Sequence, residues 1–163
     1  RYLSHWYYPA IRELAERADF QADPAWIART LCPQISPGKA KRALATLVEL
    51  GLLVLNDDGT VSPSDGMVVT PHEVAGLAAH NYHMGMIGLA QEAIDRFKPE
   101  RRHFLGATIS VPAAMMPELK RELDAVQERI LDLADASTLP STEVLQVNLH
   151  IFPLAVGRSE ESE

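Results

Sequence analysis

Cysteine is almost absent: Cys32 is the only one in 163 residues. That excludes an internal disulfide framework and points to a reducing compartment, the cytoplasm. Between Leu31 and Pro33 the thiol is expected to be buried and inert. Long hydrophobic runs are missing too, none approaching the roughly 18 apolar residues a membrane span requires, so no membrane partner is expected. The first residues, Arg1-Tyr2-Leu3-Ser4, are neither an initiator nor a secretory signal and open inside an amphipathic pattern. A fragment lacking an upstream domain is the expectation. Signatures of catalysis are equally scarce: no glycine-rich phosphate loop, no nucleophile elbow, no carboxylate pair spaced for acid–base work. Neither an enzyme nor a bound cofactor is expected.

What is present is an ordinary globular composition, 47% hydrophobic and 23% charged, too apolar for a disordered chain and long enough for one or two domains. The net charge of −7 argues at first sight against a nucleic-acid partner, but it is unevenly spread. Residues 1–66 carry seven Lys/Arg against eight Asp/Glu, whereas residues 67–163 carry eight against fourteen. The acidity therefore lies in the second half, and local patches rather than totals govern phosphate contact.

Periodicity predicts an α+β chain. Tyr2–Ala18 reads as a helix with Trp6, Ile11 and Leu14 on its apolar face; Pro9 either kinks it or sits in the first turn of a helix running to Ala18, and a break or kink near Tyr8 is the preferred reading. Asp23-Pro24 and Ser36-Pro37 are two helix starts, each with a capping side chain followed by proline. They open helices over 24–31 and 37–50, and the second carries Ala40, Ala43, Leu44, Leu47 and Val48 at helical spacing before Gly51 as C-cap. Leu52–Leu55 and Thr60–Ser62, separated by Asn56-Asp57-Asp58-Gly59, form a hairpin. Residues 1–66 thus read as a winged helix-turn-helix. Thr70-Pro71-His72-Glu73 is a capping box for a long connecting helix to about Phe97. Two alternating segments, His103–Val111 and Val144–Phe152, flank a helix from Pro112 to about Ala136 striped by Leu119, Leu123, Val126, Ile130 and Leu133. This is a β-α-β pattern, so residues 67–156 are expected to dimerise or sense a signal, and residues 157–163 to fray.

The candidate site is the third helix. Lys39, Lys41 and Arg42 on its N-terminal half would reach phosphates or base edges, with Ser36 and Thr46 as neutral contacts. Asp57 and Asp58 at the wing tip depart from this pattern, since a DNA-binding wing favours cations, and a protein-docking winged helix is the alternative. His80 and His83 are three apart on the long helix, with His72 and Glu73 earlier, but too few convergent ligands accompany them for a metal site to be expected. Met84-Gly85-Met86-Ile87-Gly88 lets that helix approach another closely. The partners expected are duplex DNA, a second copy of the chain (the two strands joining a shared sheet), and an unidentified small-molecule or protein effector.

Tyr2-Leu-Ser-His-Trp-Tyr-Tyr-Pro-Ala-Ile-Arg-Glu-Leu, Asp23-Pro-Ala-Trp-Ile-Ala, Lys41-Arg-Ala-Leu-Ala-Thr-Leu-Val-Glu-Leu-Gly-Leu-Leu and the closing Leu145-Gln-Val-Asn-Leu-His-Ile-Phe-Pro-Leu resemble the DUF4423 domain. The resemblance covers about Tyr2 to Leu154. It implies a bacterial transcriptional regulator with a further helical region upstream, and it assigns no catalytic residues.

Overall fold

The computed structural model describes residues 2–64 and 75–157, so the capping box at Thr70–Glu73 lies outside the described residues. The chain divides into two units, Arg1–Lys98 with Pro140–Gln146, and Pro99–Leu139 with Val147–Glu163. Among the described residues it combines five α-helices with one two-stranded sheet, an α+β composition. None of these helices is long and apolar enough to cross a membrane.

The first unit is organised by its caps. Helix α1, Tyr7–Leu14, places Pro9 in its first turn, where the missing N–H has no intrahelical acceptor to leave unsatisfied. The expected helix over 2–18 is therefore shorter at both ends, and the break precedes Tyr7. Helix α2, Pro24–Thr30, begins as the Ala25 and Trp26 N–H groups donate to the Asp23 carboxylate at 3.4 and 2.9 Å. Helix α3, Pro37–Glu49, begins as the Lys39 N–H donates to Ser36 Oγ at 3.3 Å. It ends in a Schellman motif: Gly51 at φ 71° donates to the Val48 carbonyl, and Leu52 donates to the Leu47 carbonyl. Strands β1, Leu53–Leu55, and β2, Val61–Pro63, pair antiparallel with Leu53 opposite Pro63 and Leu55 opposite Val61.

Helix α3 lies at the centre, packed against α1, α2 and β1. Its Ala40, Ala43 and Leu47 are fully enclosed, together with Ile11 and Leu14 of α1, Ile27 of α2 and Leu53 of β1. Two alanines in that stripe keep the helices close, because their small side chains let the backbones approach. Phe20 meets Trp26 edge-to-face, and Arg17, held by Asp19 through two hydrogen bonds, lies over the same indole. Arg12 donates to the Ser64 carbonyl, tying the end of β2 back to α1. Contrary to expectation Cys32 is exposed: Leu31 takes the inward position as α2 ends, and the next residue turns out to solvent.

Helix α4, Ala75–Arg96, belongs to this unit. Met86 is its buried residue, and a Cβ on Gly85 would sit 3.9 Å from Trp6 Cβ, so the helix backbone comes close to the indole-bearing turn. Tyr2 packs, partly buried, against the core; burial first, then Glu13, pushes its phenol up to about 12, against a lowering by Arg12. The returning segment adds Val144 to the core, and Gln146 donates to the Tyr82 hydroxyl at 3.2 Å.

The second unit contains helix α5, Met116–Asp135, preceded by single 3-10 turns at Pro99–Arg101 and Ala113–Met115. The expected β-α-β module does not form within the single chain: neither 103–111 nor 144–152 carries a strand ladder. Strand propensity alone does not make a strand, because the ladder needs a neighbour to supply its hydrogen bonds.

Three substitutions probe this account. Leu47→Ala empties the centre of the core and should cost roughly 2–5 kcal/mol in urea unfolding. Gly51→Ala forces a Cβ into left-handed backbone and should cost about 1 kcal/mol. In Tyr2→Phe the loss of thermal stability between pH 10 and pH 12 should flatten, because the wild-type phenol keeps its proton in the folded state longer than in the unfolded chain and that advantage disappears through this window.

Candidate nucleic-acid interface

The inward stripe of α3 dictates what faces out. With Ala40, Ala43 and Leu47 enclosed, helical geometry sends Gly38, Arg42, Ala45 and Glu49 to the opposite face, with Lys39 and Thr46 on one flank and Lys41 on the other. Ser36, Lys39, Lys41 and Arg42 are exposed, and Thr46 is half-buried. Four of the five expected site residues therefore share the first two turns of one helix and its cap. Thr46 lies further along, partly covered.

Ser36 has a structural task beyond any contact with a ligand, since its hydroxyl oxygen caps the helix. Among the described residues Lys39, Lys41 and Arg42 form no ion pair; the salt bridges there join Arg12 to Glu13 and Glu16, Arg17 to Asp19, and Arg96 to Glu92. Three cations without an acidic partner among the described residues thus stand beside the positive end of the helix dipole, and both fields favour an anion. Arg42 reaches back towards the helix start, with its Nη1 3.7 Å from where a Cβ on Gly38 would be. A side chain at position 38 would restrict that guanidinium.

Tyr7 is the neighbour that sequence reasoning missed. Its phenol is pushed up by burial and by Tyr8, and partly drawn down by the charge of Arg42, so the α1 ring lies within the field of the outward cation of α3. No pattern in the sequence announces this electrostatic proximity between residues 35 positions apart.

The hairpin tip explains part of its own acidity. Asp58 accepts hydrogen bonds from the Thr60 backbone N–H at 2.9 Å and the Thr60 hydroxyl at 2.6 Å, and these hold its carboxyl below the ordinary value of 3.8. Asn56 donates to Thr60 Oγ1 and Ser62 Oγ, while Gly59 supplies a φ of 81°. Asp58 is a turn-forming residue. Asp57 is exposed.

Among the described residues the histidines are not brought together as a metal site. His80 and His83 are exposed on α4, His83 in edge contact with Tyr82, and no three potential ligands cluster among the described residues. His72 and Glu73 lie outside the described residues.

The model of DUF4423, a domain of unknown function, matches residues 1–154. The chain belongs to this family. Neither a curated protein nor a solved structure matches it. The match takes in both units of this DUF4423 domain, so the exposed cations of α3 and the helix of the second unit are parts of one family unit.

The Asp58 geometry has a pH consequence. A carboxyl whose folded value is lowered contributes stability above its unfolded value and loses it as pH falls through the folded one. Thermal melts from pH 5 down to pH 2 should therefore fall less steeply in Asp58→Asn than in wild type, and equal slopes would show that the turn makes no such contribution.

Proposed function

We propose that residues 1–66 are a winged helix-turn-helix that binds duplex DNA, and that the chain is a regulator of transcription. In this reading α2 braces α3, α3 enters the major groove, and the β1–β2 hairpin is the wing beside the flanking backbone. The observation that carries it is the trio Lys39, Lys41 and Arg42, exposed and without acidic partners among the described residues, on a helix anchored by Ala40, Ala43 and Leu47. Lys39 and Lys41 flank the helix and suit phosphates on either side of a groove. Arg42 faces outward and suits a base edge, for which a guanidinium offers two parallel donors. The remainder of the chain then supplies dimerisation or signal binding.

A second reading is favoured by one observation. Asp57 is exposed at the hairpin tip. Its charge repels phosphate, and a protein partner would suit it better. Salt dependence separates the two readings, because counterion release accompanies phosphate contact and scarcely affects an apolar protein interface.

Fluorescence anisotropy with a labelled duplex should show binding that weakens with salt, with a log–log slope near −2 per bound chain for the two phosphate contacts of Lys39 and Lys41. Changing Lys39 or Lys41 to Ala should each reduce that slope by about one, and Arg42→Ala should relax sequence preference instead. Absence of binding to any duplex in a random pool at about 50 mM salt would remove the DNA reading and leave the protein-docking one.

A further inference from the structure

Every buried apolar residue among the described residues lies in the first unit. In the second, from residue 99 to 139 and from 147 to 157, no residue is buried at all. Leu105 is 87% exposed, Ile109 60%, Leu133 61% and Phe152 68%. An unsatisfied apolar surface of this extent does not repay the entropy of ordering the backbone that displays it. Something covers it.

The pattern on α5 says what. Met116, Leu119, Leu123, Val126, Ile130 and Leu133 follow one another at intervals of three, four, three, four and three residues. This is the 3.5-residue repeat of a helix whose seam meets another helix, distinct from the broader stripe of a helix lying on a sheet. Met116, Leu119, Leu123 and Ile130 are half-buried in the single chain, while Val126 and Leu133 are exposed. Placing the same helix antiparallel to itself layers Met116 on Leu133, Leu123 on Val126 and Ile130 on Leu119. The positions flanking that seam are then Glu122 of one helix and Arg129 of the other, and two-fold symmetry repeats the pair. The sequence is charge-complementary to itself in this orientation. A parallel arrangement brings Glu122 against the neutral Gln127 and forgoes both pairs.

The extent agrees. Exposed large apolar side chains run through all three stretches, 104–111, 126–133 and 147–152, a spread that suits the range of about 1,000–2,500 Å² per partner that permanent homodimers remove from water. A transient partner would leave that surface bare between encounters.

We infer that the second unit is an obligate homodimerisation module, centred on an antiparallel pair of α5 helices with Val126 at the seam and reciprocal Glu122–Arg129 contacts at its edges. The apolar faces of 103–111 and 147–152 extend the same interface. This holds whether or not α3 reads DNA.

Sedimentation equilibrium of the 163-residue chain should give twice 18.0 kDa at low micromolar concentration. Val126→Asp should give 18.0 kDa while leaving the tryptophan fluorescence melt in place, because both tryptophans, Trp6 and Trp26, lie in the first unit. Glu122→Arg turns two attractions into two repulsions and should weaken the dimer about tenfold. The double variant E122R/R129E should restore wild-type affinity, which no partner other than a second α5 would allow. Three results would overturn the inference: a wild-type monomer at tens of micromolar, a dimer that survives Val126→Asp, or a double variant as weak as Glu122→Arg.

Discussion

The enclosed stripe Ala40, Ala43 and Leu47 is the contact on which the first unit depends. Removing these three side chains from water fixes the rotation of α3 about its own axis. That rotation decides that Lys39, Lys41 and Arg42 stay in solvent. It also seats Leu52 and Leu53 at the helix end, and so sets where the hairpin emerges. The exposed face of α3 has no independent cause. It is what remains after the apolar residues have found their partners.

The two units obey the same rule with opposite outcomes. In the first, local signals and long-range packing agree: capped helix starts are followed by apolar positions at helical spacing, and each buried residue has neighbours from other elements. In the second, helical and alternating patterns are just as clear in the sequence, but a single copy of the chain leaves the surfaces they create uncovered. Apolar spacing specifies which face wants burial, and only the charges bordering that face, Glu122 and Arg129 on α5, bear on the molecule that provides it.

This difference accounts for what could be read from the sequence. Asp23-Pro24, Ser36-Pro37 and Gly51 act over three or four residues, so helices α2 and α3 and the hairpin fall where capping and turn chemistry place them. The outward position of Lys39, Lys41 and Arg42 follows from the same periodicity. Pro9 was ambiguous because a proline in a first turn and one at a kink look alike until the helix start is known. Cys32 misled because apolar neighbours in sequence do not fix direction once a helix has ended. The ladders expected over 103–111 and 144–152 require a distant partner strand, and the electrostatic proximity of Tyr7 to Arg42 requires two helices to have packed already.

The return of residues 140–146 to the first unit bears on how the molecule can be dissected. Val144 is packed on the core and Gln146 donates to Tyr82, so this stretch completes a body whose other parts end at Lys98. The backbone crosses between the two bodies three times, after residues 98, 139 and 146. A cut at Lys98 would therefore not separate two finished pieces: it would carry off one side of the core it was meant to isolate. A faithful excision of the first unit has to keep residues 140–146 joined to it, because the polypeptide returns there after 139 and leaves again after 146.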